Sequence, residues 1–177
     1  MHKIRMNPGF TIMLLPIIIL LAINGGRDEG IFQGIVYFIF YIILMMIAQT
    51  DYYTYKIPNA LNLLLCIYGL IYMLISGNDG IMWRVCGSLI VPFLLLVIGM
   101  MYPGSIGGGD IKFLAAAGIF IGFEKTMYAA AMGSILAGVT ALGLMMAAKA
   151  SKKRRMAMAP YYAVGIVLSL ISNWHFL

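Results

Sequence analysis

The sequence predicts an all-α polytopic membrane protein of about seven transmembrane helices, with its N-terminus cytoplasmic and its C-terminus outside. Three observations predict it. Hydrophobic residues make up 63% of the 177-residue chain and charged residues only 10%, with a mean hydropathy of +0.97, far too apolar for a water-soluble globule. The apolar stretches are continuous and approach the roughly 20 residues that a helix needs to cross a bilayer, which argues against a β-barrel, whose strands alternate with period two. The charges lie between these stretches and sort by side.

The expected spans run at 9–24, 31–48, 60–76, 82–102, 110–123, 126–148 and 158–174. Lys3 and Arg5 ahead of the apolar run Phe10 to Ile23 suggest a signal peptide, but Leu21-Ala22-Ile23-Asn24 is a poor small-residue cleavage site, so the run reads as a first helix. Pro58 biases Ile57 away from helix, and Asn59 is expected to cap the third span. Pro16 and Pro92 fall inside spans, where neighbouring helices can satisfy the freed carbonyls. The fifth span is short and rich in glycine. Gly118, Gly122, Gly133 and Gly138 read as close helix contacts, and the run Lys149 to Arg155 reads as fixing the orientation of the last two spans, with attraction to anionic lipid headgroups as the other reading. Loops are brief, so residues 1–177 read as one membrane-embedded domain in the lipid bilayer.

Odd-numbered spans start on the side of the N-terminus. That side receives Lys3, Arg5, Lys56, Lys112, Lys149, Lys152, Lys153, Arg154 and Arg155, nine of the twelve basic residues, and the other side only Arg27, Arg84 and Lys125. The positive-inside rule makes the richer side cytoplasmic. The net charge of +6 thus concerns topology; no nucleic-acid recognition module accompanies it. The same sorting puts Asp28, Glu29, Asp79 and Glu124 outside and leaves Asp51 and Asp110 as the acids of the basic face. Cys66 and Cys86 form no Cys-x-x-Cys pair, and His2 and His175 fall on opposite sides of the membrane, so neither a zinc site nor a Ser/His or Cys/His arrangement competes with the two aspartates. No metal or other cofactor is expected.

The second aspartate belongs to Gly107-Gly108-Gly109-Asp110-Ile111-Lys112, an acid behind three glycines where a polar loop meets an apolar run. An ionisable group at the edge of a membrane segment is costly and reads by default as functional. The glycines remove side-chain bulk, so a substrate backbone could approach Asp110 closely; the plainer reading is an acid that caps free N–H groups. Asp51 opens the turn Asp51-Tyr52-Tyr53-Thr54-Tyr55-Lys56-Ile57-Pro58-Asn59, whose tyrosines also suit a membrane-interface belt. Two carboxylates sharing a proton can activate water and protonate a leaving nitrogen, which is what amide hydrolysis requires. Topology puts both acids at one membrane level; whether they meet is left open.

Asp51, five residues, then Ile57-Pro58-Asn59, followed about fifty residues later by Gly-x-Gly-Asp at Gly107 to Asp110 with Lys112 two positions on, resembles the type IV prepilin peptidase family of membrane aspartyl proteases. Ile111-Lys112-Phe113-Leu114-Ala115-Ala116 is similar to the family's continuation, and Ala159-Pro160-Tyr161-Tyr162-Ala163-Val164-Gly165 to its last helix, so the likeness covers residues 31–174 and leaves 9–24 as an extra helix. The resemblance implies removal of a basic leader from prepilin-like or preflagellin-like substrates at the cytoplasmic membrane face of a prokaryote. It implies Asp51 and Asp110 as the catalytic pair, with Gly107, Gly108, Gly109, Lys112, Pro58 and Asn59 shaping the site. Tyr53 stands where many members carry Arg, and Ala157 where a proline is common. The short connection between the first two spans leaves no room for the zinc-binding, N-methyltransferase insertion of bifunctional members, so the chain is similar to the short forms serving Flp pili or archaeal preflagellins. An ion or proton transporter using the two aspartates and an inactive homologue acting in pilus assembly are the rival readings. Within the pair, Asp110 at a helix start and Asp51 after a helix end would put the shared proton on Asp51.

Overall fold

The computed structural model describes residues 30–76, 80–147 and 156–171. Among them every regular element is a helix: α1 (Gly30–Thr54), α2 (Asn59–Ile75), α3 (Ile81–Met101), α4 (Gly108–Ile121), α5 (Phe123–Met146) and α6 (Ala159–Ile171). The expected helix 9–24 and the basic run 149–155 lie outside the described residues.

Three stretches, Phe32–Thr54, Ile81–Met101 and Phe123–Met146, are long and apolar enough to cross a membrane; Asn59–Ile75 and Ala159–Leu170 are shorter apolar helices. The outer surface fits such a medium. Leu74, Met82, Met100 and Met146 are largely exposed, Met146 at 88%, an apolar exterior that water would not tolerate over this area. The fifth expected span is a different kind of element. With 14 residues, α4 is roughly 21 Å long at 1.5 Å per residue, short of a hydrocarbon core of roughly 30 Å. It is enclosed by protein, packing on α2, α3, α5 and α6, with Phe113, Leu114, Ala116, Ala117 and Phe120 all buried. A helix apolar on every side belongs in such a place.

Small residues let the neighbours come this close. A Cβ on Gly118 of α4 would lie 2.6 Å from the Gly87 carbonyl of α3, and one on Gly133 of α5 would lie 2.5 Å from the Tyr162 ring of α6. Gly118 and Gly133 are thus helix contacts, as expected. Gly138 is not, since a Cβ there would meet nothing within 4 Å, and Gly122 serves another purpose. Its φ of +81° is in the left-handed region that glycine tolerates, and it turns the chain from α4 directly into α5.

Phe120, near the end of α4, stacks on Phe40 of α1 at 4.0 Å between ring centroids and is also flanked by Tyr37, Tyr68 and Tyr72. Arg84 of α3 donates to the Phe120 carbonyl and lies 4.8 Å over the Tyr72 ring, so a cation satisfies the carbonyl end of α4 as the helix dipole favours. The far end of α4 is therefore anchored to three helices.

At two points the local reading needs correction. Helix α1 does not stop at 48 but continues through Asp51 to Thr54, because the polar residues Gln49, Thr50 and Asp51 continue its buried face. It ends where Tyr55 takes a left-handed φ of 53° and Thr54 Oγ1 donates to the Lys56 carbonyl at 2.9 Å. The start of α2 has Pro58, not Asn59, as its N-cap, with no side-chain cap bond.

Candidate functional site

The Phe40–Phe120 stack sets the height of the two aspartates. Asp51 follows Phe40 by eleven residues along α1 and Asp110 precedes Phe120 by ten along α4. At 1.5 Å per residue these are roughly 16 Å and 15 Å. Two helices running past each other in opposite directions from one aromatic contact thus bring Asp51 and Asp110 to one level. Both are buried, at 5% and 8% exposure, and lie within electrostatic reach of each other.

Each carboxylate is held by backbone N–H at a helix start. Asp110 is the third residue of α4 and takes a hydrogen bond from the N–H of Gly107, the N-cap, a capping-box arrangement. The plainer sequence reading, Asp110 as a cap, is thus present alongside its proximity to Asp51. On the other carboxylate, Asp51 Oδ2 accepts the Ala159 N–H at 3.0 Å, with the Met158 N–H adding to the same group. Asp51 therefore faces the positive end of α6 as well as the end of its own helix, which removes the asymmetry on which the sequence argument placed the shared proton.

The three glycines divide by what surrounds them. A Cβ on Gly107 would lie 2.7 Å from Asp110 Oδ2, so the acid itself fills that space; one on Gly109 would lie 3.4 Å from Ile57 Cβ; one on Gly108 would meet nothing within 4 Å. Ile57 of the loop that follows Asp51 thus lines Gly109 at ordinary contact distance.

The two motifs are clasped together at further points. Lys112 Nζ donates to Asn59 Oδ1 at 3.4 Å, and Asn62 Nδ2 donates to the Gly109 carbonyl in a long bond of 3.5 Å. Pro58, with φ −62° and ψ 133°, sets the extended turn that starts α2 here. All eight expected site residues are therefore in one neighbourhood. Three others were missed. Ala159 acts through its backbone, which leaves no side-chain signal. Tyr162, fully buried and within electrostatic reach of Asp110, looks like core in the sequence. Asn62 had a legible signal: it continues the buried stripe Leu65, Gly69 and Tyr72 of α2 with a polar group. Among the described residues no cluster of three or more His, Cys, Asp or Glu could hold a metal ion.

A helical fold suited to a membrane, with two buried carboxylates within electrostatic reach of each other, defines a class of candidate acid–base site. The chain belongs to the type IV leader peptidase family, whose profile matches residues 38–142, a span that includes both aspartates. It is 27% identical over 172 residues to the prepilin leader peptidase/N-methyltransferase of Bacillus subtilis (strain 168), covering 96% of this chain and 68% of the relative. It is 28% identical over 140 residues to the protein of that name from Pectobacterium carotovorum subsp. carotovorum, covering 73% of this chain and 48% of the relative, about half its length. No solved structure matches the chain.

Proposed function

We propose that the protein is an aspartyl endopeptidase of the cytoplasmic membrane of a prokaryote that removes the basic leader from type IV prepilin-like proteins, without an N-methyltransferase activity. The observation that carries this reading is the juxtaposition of two buried carboxylates, Asp51 and Asp110, each held by backbone N–H. Two acids this close share one proton. Asp51, which faces the start of α6, carries the charge and takes a proton from water as the water oxygen attacks the scissile carbonyl carbon. Asp110 carries the shared proton and donates it to the carbonyl oxygen as the tetrahedral intermediate forms; Asp51 then gives the proton taken from water to the leaving nitrogen as the C–N bond breaks, and Asp110 recovers its proton as the carbonyl re-forms. Gly107, Gly109, Ile57, Pro58, Asn59 and Lys112 hold the pair in register. The positive-inside rule puts this end of the helices at the cytoplasmic face, where a basic leader would lie. This reading keeps the C-terminus outside, with α4 running between the two faces as a short helix enclosed by the other expected spans.

The test is co-expression with a pilin-like precursor and a gel readout for leader loss. The wild-type protein is expected to shorten the precursor, and Asp51→Ala and Asp110→Ala each to abolish cleavage while still inserting, because an acid–base pair works as a unit. Cleavage near the wild-type rate by either inserted variant would rule out the dyad.

A further inference from the structure

Asn62 has a place in the site that its position in the sequence does not announce. It is only 6% exposed and stands on the face of α2 whose other buried members are Leu65, Gly69 and Tyr72. A primary amide in such a stripe is costly unless its polar atoms find partners. One does: Nδ2 reaches the Gly109 carbonyl of α4. This also fixes the orientation of the amide, since the opposite one would set oxygen against oxygen.

The other end of the amide is unmatched. Asn62 Oδ1 is buried and no donor of the described residues reaches it. Gly109, which Asn62 holds, is the residue next to Asp110. A buried, unpaired acceptor thus stands on the residue that holds the peptide unit leading into Asp110. An acceptor kept dry and unpaired costs the site about as much as a lost hydrogen bond, so such groups are retained where an incoming donor pairs with them. An extended peptide offers donors of this kind, one backbone N–H per residue.

We infer that Asn62 is a substrate-positioning residue: Nδ2 holds the Gly109 backbone, and Oδ1 accepts a hydrogen bond from a backbone N–H of the peptide laid beside Asp110. The inference rests on the peptidase reading and goes beyond it in naming a residue that binds main chain. It makes recognition at this point independent of substrate side chains.

Thr and Val have the same shape and differ by one hydroxyl, which can both donate to a carbonyl and accept from an N–H. The experiment is steady-state cleavage of a purified pilin-like precursor by the full-length protein in detergent, comparing wild type, Asn62→Val and Asn62→Thr, with thermal unfolding of each. Asn62→Val is expected to raise KM about tenfold and leave kcat within about threefold, the loss of one hydrogen bond made equally in ground and transition states. Asn62→Thr is expected to recover most of that loss. Equal KM values for the Val and Thr variants would reduce Asn62 to a packing role and overturn the inference. So would a fall in kcat with KM unmoved, which would assign the Oδ1 acceptor to the attacking water. If wild type cleaves and neither variant differs from it, the inference alone fails; a precursor left uncut by the wild-type protein would remove the peptidase reading as well.

Discussion

A Cβ on Gly107 would sit 2.7 Å from Asp110 Oδ2, and the obstructing carboxylate is the one that the Gly107 N–H holds. Gly107→Ala must therefore displace the Asp110 carboxylate from its present place. Displacements of this size at a reacting group cost about a hundredfold in rate, and that fall in cleavage is expected with insertion unchanged. One residue on, Gly108→Ala meets nothing within 4 Å and is expected to keep activity within about threefold. This contrast explains in steric terms why the middle position of a Gly-x-Gly-Asp pattern can vary. A hundredfold loss in the Gly108 variant, or none in the Gly107 variant, would contradict the geometry. Asn substitution addresses the proton. Asp51 accepts N–H groups from the start of α6, a term absent from any argument based on α1 alone. Asp110→Asn, mimicking the protonated acid, is therefore expected to bind an uncleaved peptide roughly tenfold more tightly than Asp51→Asn, which discards a charge that backbone donors were stabilising. Fluorescence anisotropy with a labelled peptide decides this, and the reverse order would return the proton to Asp51.

The helices carry a second use of glycine. Gly118 of α4 meets Gly87 of α3 backbone to backbone, where an added Cβ would lie 2.6 Å from the carbonyl. Neither backbone can yield as a flexible side chain would. Gly118→Ala is expected to destabilise the protein by about 1–3 kcal/mol and lower its melting temperature in detergent, whereas Gly138→Ala, with open space around it, should leave the melting temperature unmoved. An unchanged melting temperature for Gly118→Ala would mean that α3 and α4 do not cross at this point. The two glycines read alike in the sequence, because spacing reveals that a helix has a small residue but not which neighbour that residue faces. Asn59 was misread for a related reason. The residue after Pro58 looks like a cap from local preference alone, and its actual partner, Lys112, is on another helix. The length of α1 was also underestimated, because Gln49, Thr50 and Asp51 look like the start of a loop although all three are buried helix.

At the scale of the whole molecule, the all-helical architecture and the shared level of Asp51 and Asp110 were legible, since both follow from apolar runs and from which ends carry charge. That the acids come within electrostatic reach of each other was not legible, because it depends on the Phe40–Phe120 stack and on the start of α6, contacts between residues far apart in the chain. The direction of the helices in the membrane rests on charge alone. Lys56 and Lys112 stand at the aspartate end, whereas Glu124 stands in the first turn of α5, at the other end of α4. In the proposed orientation, the positive-inside rule would put the first group in the cytoplasm and Glu124 outside. Both Lys56 and Glu124 are exposed, so single cysteines there, with Cys66 and Cys86 replaced by Ser, report on the two faces. In intact cells a membrane-impermeant maleimide is expected to label Glu124→Cys and spare Lys56→Cys, and permeabilisation is expected to make Lys56→Cys react. The opposite pattern would put the aspartates at the outer face, where a leader retained in the cytoplasm could not reach them, and the proposed substrate would fall with the orientation.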